Sequence, residues 1–251
     1  MKFISGYKQL NDDTSPFSGK YVAKENVHAV GDVQSGKTKW IIETRKDFTD
    51  NGYKIIILFG GYTNILNDQS FDRCWQELRR TYPGIMLKKS ISADDYKYLN
   101  MTNQEQPIVY TLLKSADNIK KIDETFLEGI SDIKRYPILI IDDETDYASP
   151  NTKITNVSAV HKNFCKLIKT VQKGKIIQVT ATPFSNILAK ASDPYFPDRI
   201  ICLKHNDEYC GLDKFLNDSN YKHLSYKKNE FLDNYIRESL ACFAASCCFY
   251  D

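Results

Sequence analysis

Long hydrophobic runs are what this sequence most plainly lacks. The longest, LACFAASCCF near the C-terminus, reaches about half of the ~20 apolar residues a membrane-spanning helix requires, so no membrane partner is expected. The opening residues MKFISGYKQLNDD contain only a short apolar patch, without the apolar core of a signal peptide, and a cytoplasmic protein is expected. Charge of one sign is missing too: 34 Lys and Arg against 32 Asp and Glu leave a net charge of +2. A basic groove for nucleic acid would have to arise from clustering, not from net charge. The cysteines number seven, an odd count at irregular spacing and mostly inside apolar runs, which excludes a disulfide framework and suits reduced core thiols. Cys247 and Cys248 are adjacent rather than two apart, and no Cys/His set has zinc-ligand spacing, so metal binding through thiolates is not expected. The histidines, at 28, 161, 205 and 223, are scattered and read as core or surface residues. No Glu or Gln is followed two positions later by Lys, so the E-x-K ending of many metal nucleases is absent.

What is present has a clear order. The composition, 42% hydrophobic and 26% charged, is that of a globular protein, and 251 residues suit one large domain with appendages. Five short apolar runs read as strands: VHAV (27–30), KIIILF (54–59), PIVYTLL (107–113), PILIID (137–142) and KIIQVTA (175–181). They are apolar on both faces rather than alternating, as buried parallel strands are. Segments of helical period lie between them, beginning at Gly36, Thr63, Ser115 and Ser158. Repeated strand–helix–strand units predict a parallel sheet covered on both sides, an α/β fold. The pattern loosens after residue 190 into an expected strand-and-loop appendage, followed by an apolar helix over 229–250 that calls for a covering partner.

Three motifs carry chemistry. Gly31-Asp32-Val33-Gln34-Ser35-Gly36-Lys37-Thr38 fits G-x-x-x-x-G-K-[ST] at every fixed position and sits between a strand and a helix. Glycines let the backbone N–H groups curl inward toward phosphate oxygens, and the helix N-terminus adds partial positive charge. Lys37 can reach the β- and γ-phosphates and Thr38 can ligate magnesium. The second motif, Asp142-Asp143-Glu144-Thr145-Asp146, closes the strand ILII. Acids at a strand's carboxyl end stand where open α/β sheets bind ligands. Asp143 is assigned to Mg²⁺ and Glu144 to the attacking water, with Asp142 the alternative for the metal. The third, Thr180-Ala181-Thr182-Pro183, is good helix-start chemistry. Its two hydroxyls would also lie beside the acids, where they could sense nucleotide state.

In this order, GDVQSGKT, IIDDETD and TATPF resemble motifs I, II and III of superfamily-two helicases and translocases. More narrowly, GGYTNILNDQSFDR (60–73), IDDETDYASPNT (141–152), TATPFSNIL (180–188) and YFPDRIICLKHNDEYCGL (195–212) resemble the Z-one domain family of bacterial helicase-like ATPases. The resemblance spans roughly residues 27 to 250. It implies a three-layer RecA-like P-loop NTPase lobe at 27–190, after an N-terminal extension at 1–26 and before a strand/helix appendage at 191–251. The TAT strand would lie between the phosphate-loop strand and the acid strand. ATP and Mg²⁺ are the implied cofactors, with Lys37 and Glu144 catalytic and Asp146, Thr180 and Thr182 coupling the nucleotide to movement. Gly60, Gly61, Thr63 and Asn64, and then Lys114 and Ser115, fall where such proteins touch a nucleic-acid backbone, though turn and cap roles serve equally for these residue types. The implied partners are nucleic acid, DNA ahead of RNA, and a second RecA-like lobe or partner subunit carrying the arginine that completes the site. This chain stops just after the helix that would lead to that lobe. A setting in bacterial defence or DNA processing follows from the same resemblance. The competing readings are a nucleotide-gated protein-interaction module without translocation, and the ATPase part of a nuclease complex.

Overall fold

The structure is a computed structural model that describes residues 7–8, 24–31, 36–92, 94–95, 107–130, 136–146, 157–182 and 192–205. The chain divides into two compact units, Met1–Tyr209 and Cys210–Asp251, and every described residue belongs to the first. Asp32 to Ser35, the C-terminal helix expected over 229–250 and most of the N-terminal extension lie outside the described residues.

A two-residue strand β1 (Tyr7–Lys8) pairs antiparallel with β9 (Lys204–His205) in a small ribbon. The main sheet has seven strands: β2 (Glu25–Val30), β3 (Ile55–Phe59), β4 (Met86–Lys88), β5 (Ile108–Leu112), β6 (Ile138–Asp142), β7 (Gly174–Thr180) and β8 (Arg199–Cys202). Their order across the sheet is β4-β5-β3-β6-β7-β2-β8, and every pairing is parallel. β7, the strand of TAT, lies between the phosphate-loop strand β2 and the acid strand β6, as the resemblance implied.

Among the described residues four helical segments cover the sheet: α1 (Lys37–Asp50), α2 (Asn64–Thr81), α3 (Ala116–Lys120, continued as a π-helical turn over Lys121–Leu127) and α4 (Ala159–Thr170). Side chains alternate across each strand, so the apolar runs feed two separate cores. Ile56, Leu58, Leu139, Ile141, Ile177 and Val179 pack with Trp40, Ile41 and Phe48 of α1 and Leu78 of α2. Ile55, Ile57, Phe59, Ile138, Ile140 and Ile176 pack on the other face with Ile119, Phe164 and Leu167. Helix, sheet and helix form three layers, and the protein has the RecA-like α/β fold.

Sequence reading drew the lobe's end at residue 190. The sheet instead takes in β8, paired with β2 from Val27↔Arg199 to Val30↔Cys202, and Tyr195 is buried in the second core. A four-residue edge strand among polar and aromatic neighbours has too little hydrophobic pattern to announce itself. β4, three half-buried residues at the opposite edge, escaped for the same reason. Among the described residues no helix is long and apolar enough to cross a membrane.

Candidate nucleotide-binding site

Because all seven strands run parallel, their carboxyl ends share one edge. Gly31 follows β2, Gly60 and Gly61 follow β3, Lys114 follows β5, Asp143 to Asp146 follow β6, and Ala181 and Thr182 follow β7. A cleft of about 1120 Å³ opens at this edge. Gly36, Lys37 and Thr38 line one side, Asp143, Glu144 and Asp146 another, and Thr180 to Thr182 its floor. The three sequence motifs therefore meet in one place.

The start of α1 is built to receive an anion. Gly36 holds φ 92° and ψ 19°, a left-handed conformation that glycine adopts without strain. Among the described residues no side chain caps the helix, and no acid sits in its first turn. The other helices are capped, α2 by Thr63 to Leu66 N–H, α3 by Ser115 to Asn118 N–H and α4 by Ser158 to His161 N–H. A 14-residue helix with an uncapped, uncompensated N-terminus directs N–H groups and partial positive charge into the cleft. Lys37 Nζ donates to the carbonyl of Gly31 at 3.3 Å, folded over its own loop. Of the predicted phosphate-loop residues, Gly36, Lys37 and Thr38 line the cleft and Gly31 directly follows β2, while Asp32, Val33, Gln34 and Ser35 lie outside the described residues.

The acids divide their work. Asp142 is wholly buried and does not line the cleft; it is ion-paired with Lys114 Nζ at 2.7 Å and accepts from the Tyr195 hydroxyl. Asp143, and not Asp142, lines the cleft, as Thr38 does. Desolvation pushes its carboxyl up to about 6, against the Glu144 N–H it accepts and the field of Lys114. A bound cation would displace that proton. Asp143 and the Thr38 hydroxyl are hard oxygen donors that both line the cleft, a pair of the kind that fits Mg²⁺. Glu144 is exposed and holds φ 50°, the one left-handed residue other than glycine among those described. That conformation costs on the order of 1 kcal/mol, and strain of this kind gathers at functional sites.

Lys114 shows what holds the strained turn in place. Its ammonium donates to the carbonyls of Asp143 at 2.5 Å and Glu144 at 2.9 Å while pairing with Asp142. The side chain is fully buried, which corrects its expected role: it cannot reach a polymer backbone and instead clamps the acid turn from beneath. Among the other expected nucleic-acid contacts, Thr63 and Asn64 are exposed at the start of α2, and Ser115 is the half-buried cap of α3. Gly61 holds φ 146°, and a Cβ there would stand 2.8 Å from Leu66 Cβ, so helix packing accounts for this glycine.

The predicted coupling residues are bonded together. Thr180 Oγ1 donates to Asp146 Oδ1 at 2.6 Å and Thr182 Oγ1 to Asp146 Oδ2 at 2.5 Å. Burial opposes the charge on Asp146, but these hydroxyls outweigh it and hold the carboxyl below its usual range. The backbone adds two stitches: Thr145 N–H to the Val179 carbonyl, and Gly31 N–H to the Thr180 carbonyl, both 3.0 Å. The end of β7 thereby joins the acid turn to the phosphate loop.

Sequence reading missed the side wall of the cleft. Tyr62, Arg73, Gln76, Glu77 and Arg80 come from α2 and the turn before it, facing Lys39, Glu43 and Lys46 of α1. Their only sequence signal is a spacing of three to four residues along one helical face, which any solvated face shares.

No protein-family model matches this sequence, and no curated protein matches it. Among solved structures, the Hef helicase domain of Pyrococcus furiosus is 16% identical, covers 71% of this chain and 34% of its own, and superposes with a TM-score of 0.45. The UvsW helicase of bacteriophage T4 is 15% identical, covers 69% of this chain and 54% of its own, with a TM-score of 0.41. This chain spans about a third of the first and about half of the second.

Proposed function

We propose that this chain is the ATP-binding and hydrolysing first lobe of a helicase-like ATPase that remodels or translocates along nucleic acid, DNA ahead of RNA. The observation that carries the reading is the uncapped start of α1, with Gly36, Lys37 and Thr38, facing Asp143 and Glu144 across one cleft. In this reading Lys37 swings from the Gly31 carbonyl to the β- and γ-phosphates, and the N–H groups of the loop hold the remaining oxygens. Thr38 and Asp143 hold Mg²⁺, which when bound neutralises charge on the phosphate oxygens. Glu144, exposed at the cleft, orients the attacking water. Asp146, held by Thr180 and Thr182, relays the nucleotide state to β7. A second lobe or partner subunit supplies an arginine to the transition state, a contribution of about 10³–10⁵ in rate. By the resemblance of its motifs, the setting is bacterial defence or DNA processing.

Calorimetric titration of Mg·ATP into the wild-type chain and Lys37→Ala, with and without a single-stranded oligonucleotide, tests this. Lys37→Ala should bind roughly tenfold to hundredfold more weakly, the loss of one charge-assisted hydrogen bond. The oligonucleotide should tighten binding to the wild type. Equal affinities for the two proteins would refute the site. Binding indifferent to the oligonucleotide would favour a nucleotide-gated interaction module instead.

A further inference from the structure

Behind the acid strand, on the opposite face of the sheet from α1, three side chains of different chemistry converge. His161 and Cys165 lie one turn apart on α4, and Asp193 comes from the turn before β8. His161 Nε2 is 2.8 Å from Asp193 Oδ2, Cys165 Sγ is 3.4 Å from Asp193 Oδ1, and Cys165 Sγ is 3.4 Å from His161 Nε2. Among the described residues this is the one group of three or more His, Cys, Asp and Glu side chains whose donor atoms lie this close.

We propose that His161, Cys165 and Asp193 form a three-ligand site for a divalent transition metal, with zinc the best match and a water completing its tetrahedron. Two readings compete with it. In a cysteine nucleophile's triad, thiol and carboxylate engage opposite nitrogens of the imidazole, so that a proton can be relayed through the ring. Here one nitrogen, Nε2, faces both the sulfur and the carboxylate, and the relay is broken. The second is an ordinary hydrogen-bonded cluster. Its Nε2 and thiol protons account for the two contacts to Asp193, and the metal titration below separates it from a metal site.

A metal accounts for all three contacts at once. Tetrahedral zinc with ordinary bond lengths sets its ligand atoms about 3.3–3.6 Å apart. Both cysteine contacts are already near that separation, and the His161–Asp193 contact opens by roughly 0.5 Å to match. Nitrogen, sulfur and oxygen donors together suit zinc over magnesium or calcium. Sequence reading expected no thiolate metal site. The pattern offers no signal for one: Cys165 and His161 look like a core pair at helical spacing, and Asp193 lies 28 residues further on.

Such a metal would tie α4 to the turn that carries Tyr195. Asp193 Oδ1 already accepts from Tyr195 N–H at 2.9 Å. The Tyr195 hydroxyl meets Asp142 and, at 2.5 Å, Thr145 Oγ1 beneath the acid turn. The metal would therefore fix, from behind, the support of the cleft's acids. Metal binding itself does not depend on the nucleotide reading.

The test is titration of the full metal-free chain with Co²⁺, followed by displacement with Zn²⁺. One equivalent should give an intense tetrahedral visible spectrum and a thiolate-to-cobalt band in the near ultraviolet. Cys165→Ser should lose that band and bind at least about hundredfold more weakly, whereas Cys202→Ser, at an exposed thiol, should not. A second measurement needs no variant. Zinc should slow alkylation of Cys165 by at least about tenfold relative to chelator-treated protein, with Cys202 unaffected. No thiolate band, a band that survives in Cys165→Ser, or alkylation of Cys165 indifferent to zinc would each overturn the proposal.

Discussion

Lys114 is the residue whose role changed most between sequence and structure. A lysine just past a strand end is read as a solvent-facing contact, because lysine is almost never buried without a partner. Here the partner is Asp142, and neither side chain is exposed. Lys114→Met should cost about 3–5 kcal/mol in urea unfolding, since it leaves the Asp142 carboxylate buried without its cation. Adding Asp142→Asn should recover part of that loss, and purely additive effects would disprove the coupling. His28, buried on β2, makes a prediction with a definite sign. Desolvation lowers its pKa, against a hydrogen bond with Gln178 at 3.2 Å and the field of Asp146. The native state thus takes up this proton later than the unfolded chain does, at about 6.5. His28 therefore costs no stability above about pH 6.5, and stability falls as pH drops below it. Melting curves at steps from pH 7 to pH 5 should show a shallower acid-side decline for His28→Gln than for the wild type.

At the scale of elements, the strands were legible and their margins were not. The five central strands lie within a residue or two of the apolar runs that announced them, because burial on both faces makes most of their positions apolar. Gly174 begins β7 one residue earlier than expected, and its geometry explains why only glycine serves there. It holds φ 130°, and a Cβ would fall 1.9 Å from the carbonyl oxygen of Ile138 on β6. Gly174→Ala should destabilise the protein by about 3 kcal/mol or more, because backbone on both sides must move. Chemical denaturation would register this. An unchanged midpoint would mean the β6–β7 register at Gly174 is not as described.

For the lobe as a whole, ligand and stability are linked. If Mg·ATP binds the folded state alone, a concentration near 100 times Kd contributes about 2.7 kcal/mol. For a chain of this size that corresponds to a rise in melting temperature on the order of 5–10 °C. Removing Mg²⁺ with a chelator should reverse most of the rise, and Lys37→Ala should show little of it. A melting temperature indifferent to Mg·ATP would contradict the proposed site.

Sequence alone determined the parallel α/β class and the strand that carries each motif. Each of these rests on local pattern: apolar runs, glycines at fixed spacing, acids at a strand end. Only the tertiary structure decided which of Asp142 and Asp143 faces the cleft, that Lys114 is a clamp, that β8 completes the sheet, and that His161 and Cys165 meet Asp193. Those outcomes depend on contacts between residues roughly 30 to 170 positions apart, set by the order of the strands. No local periodicity records that order.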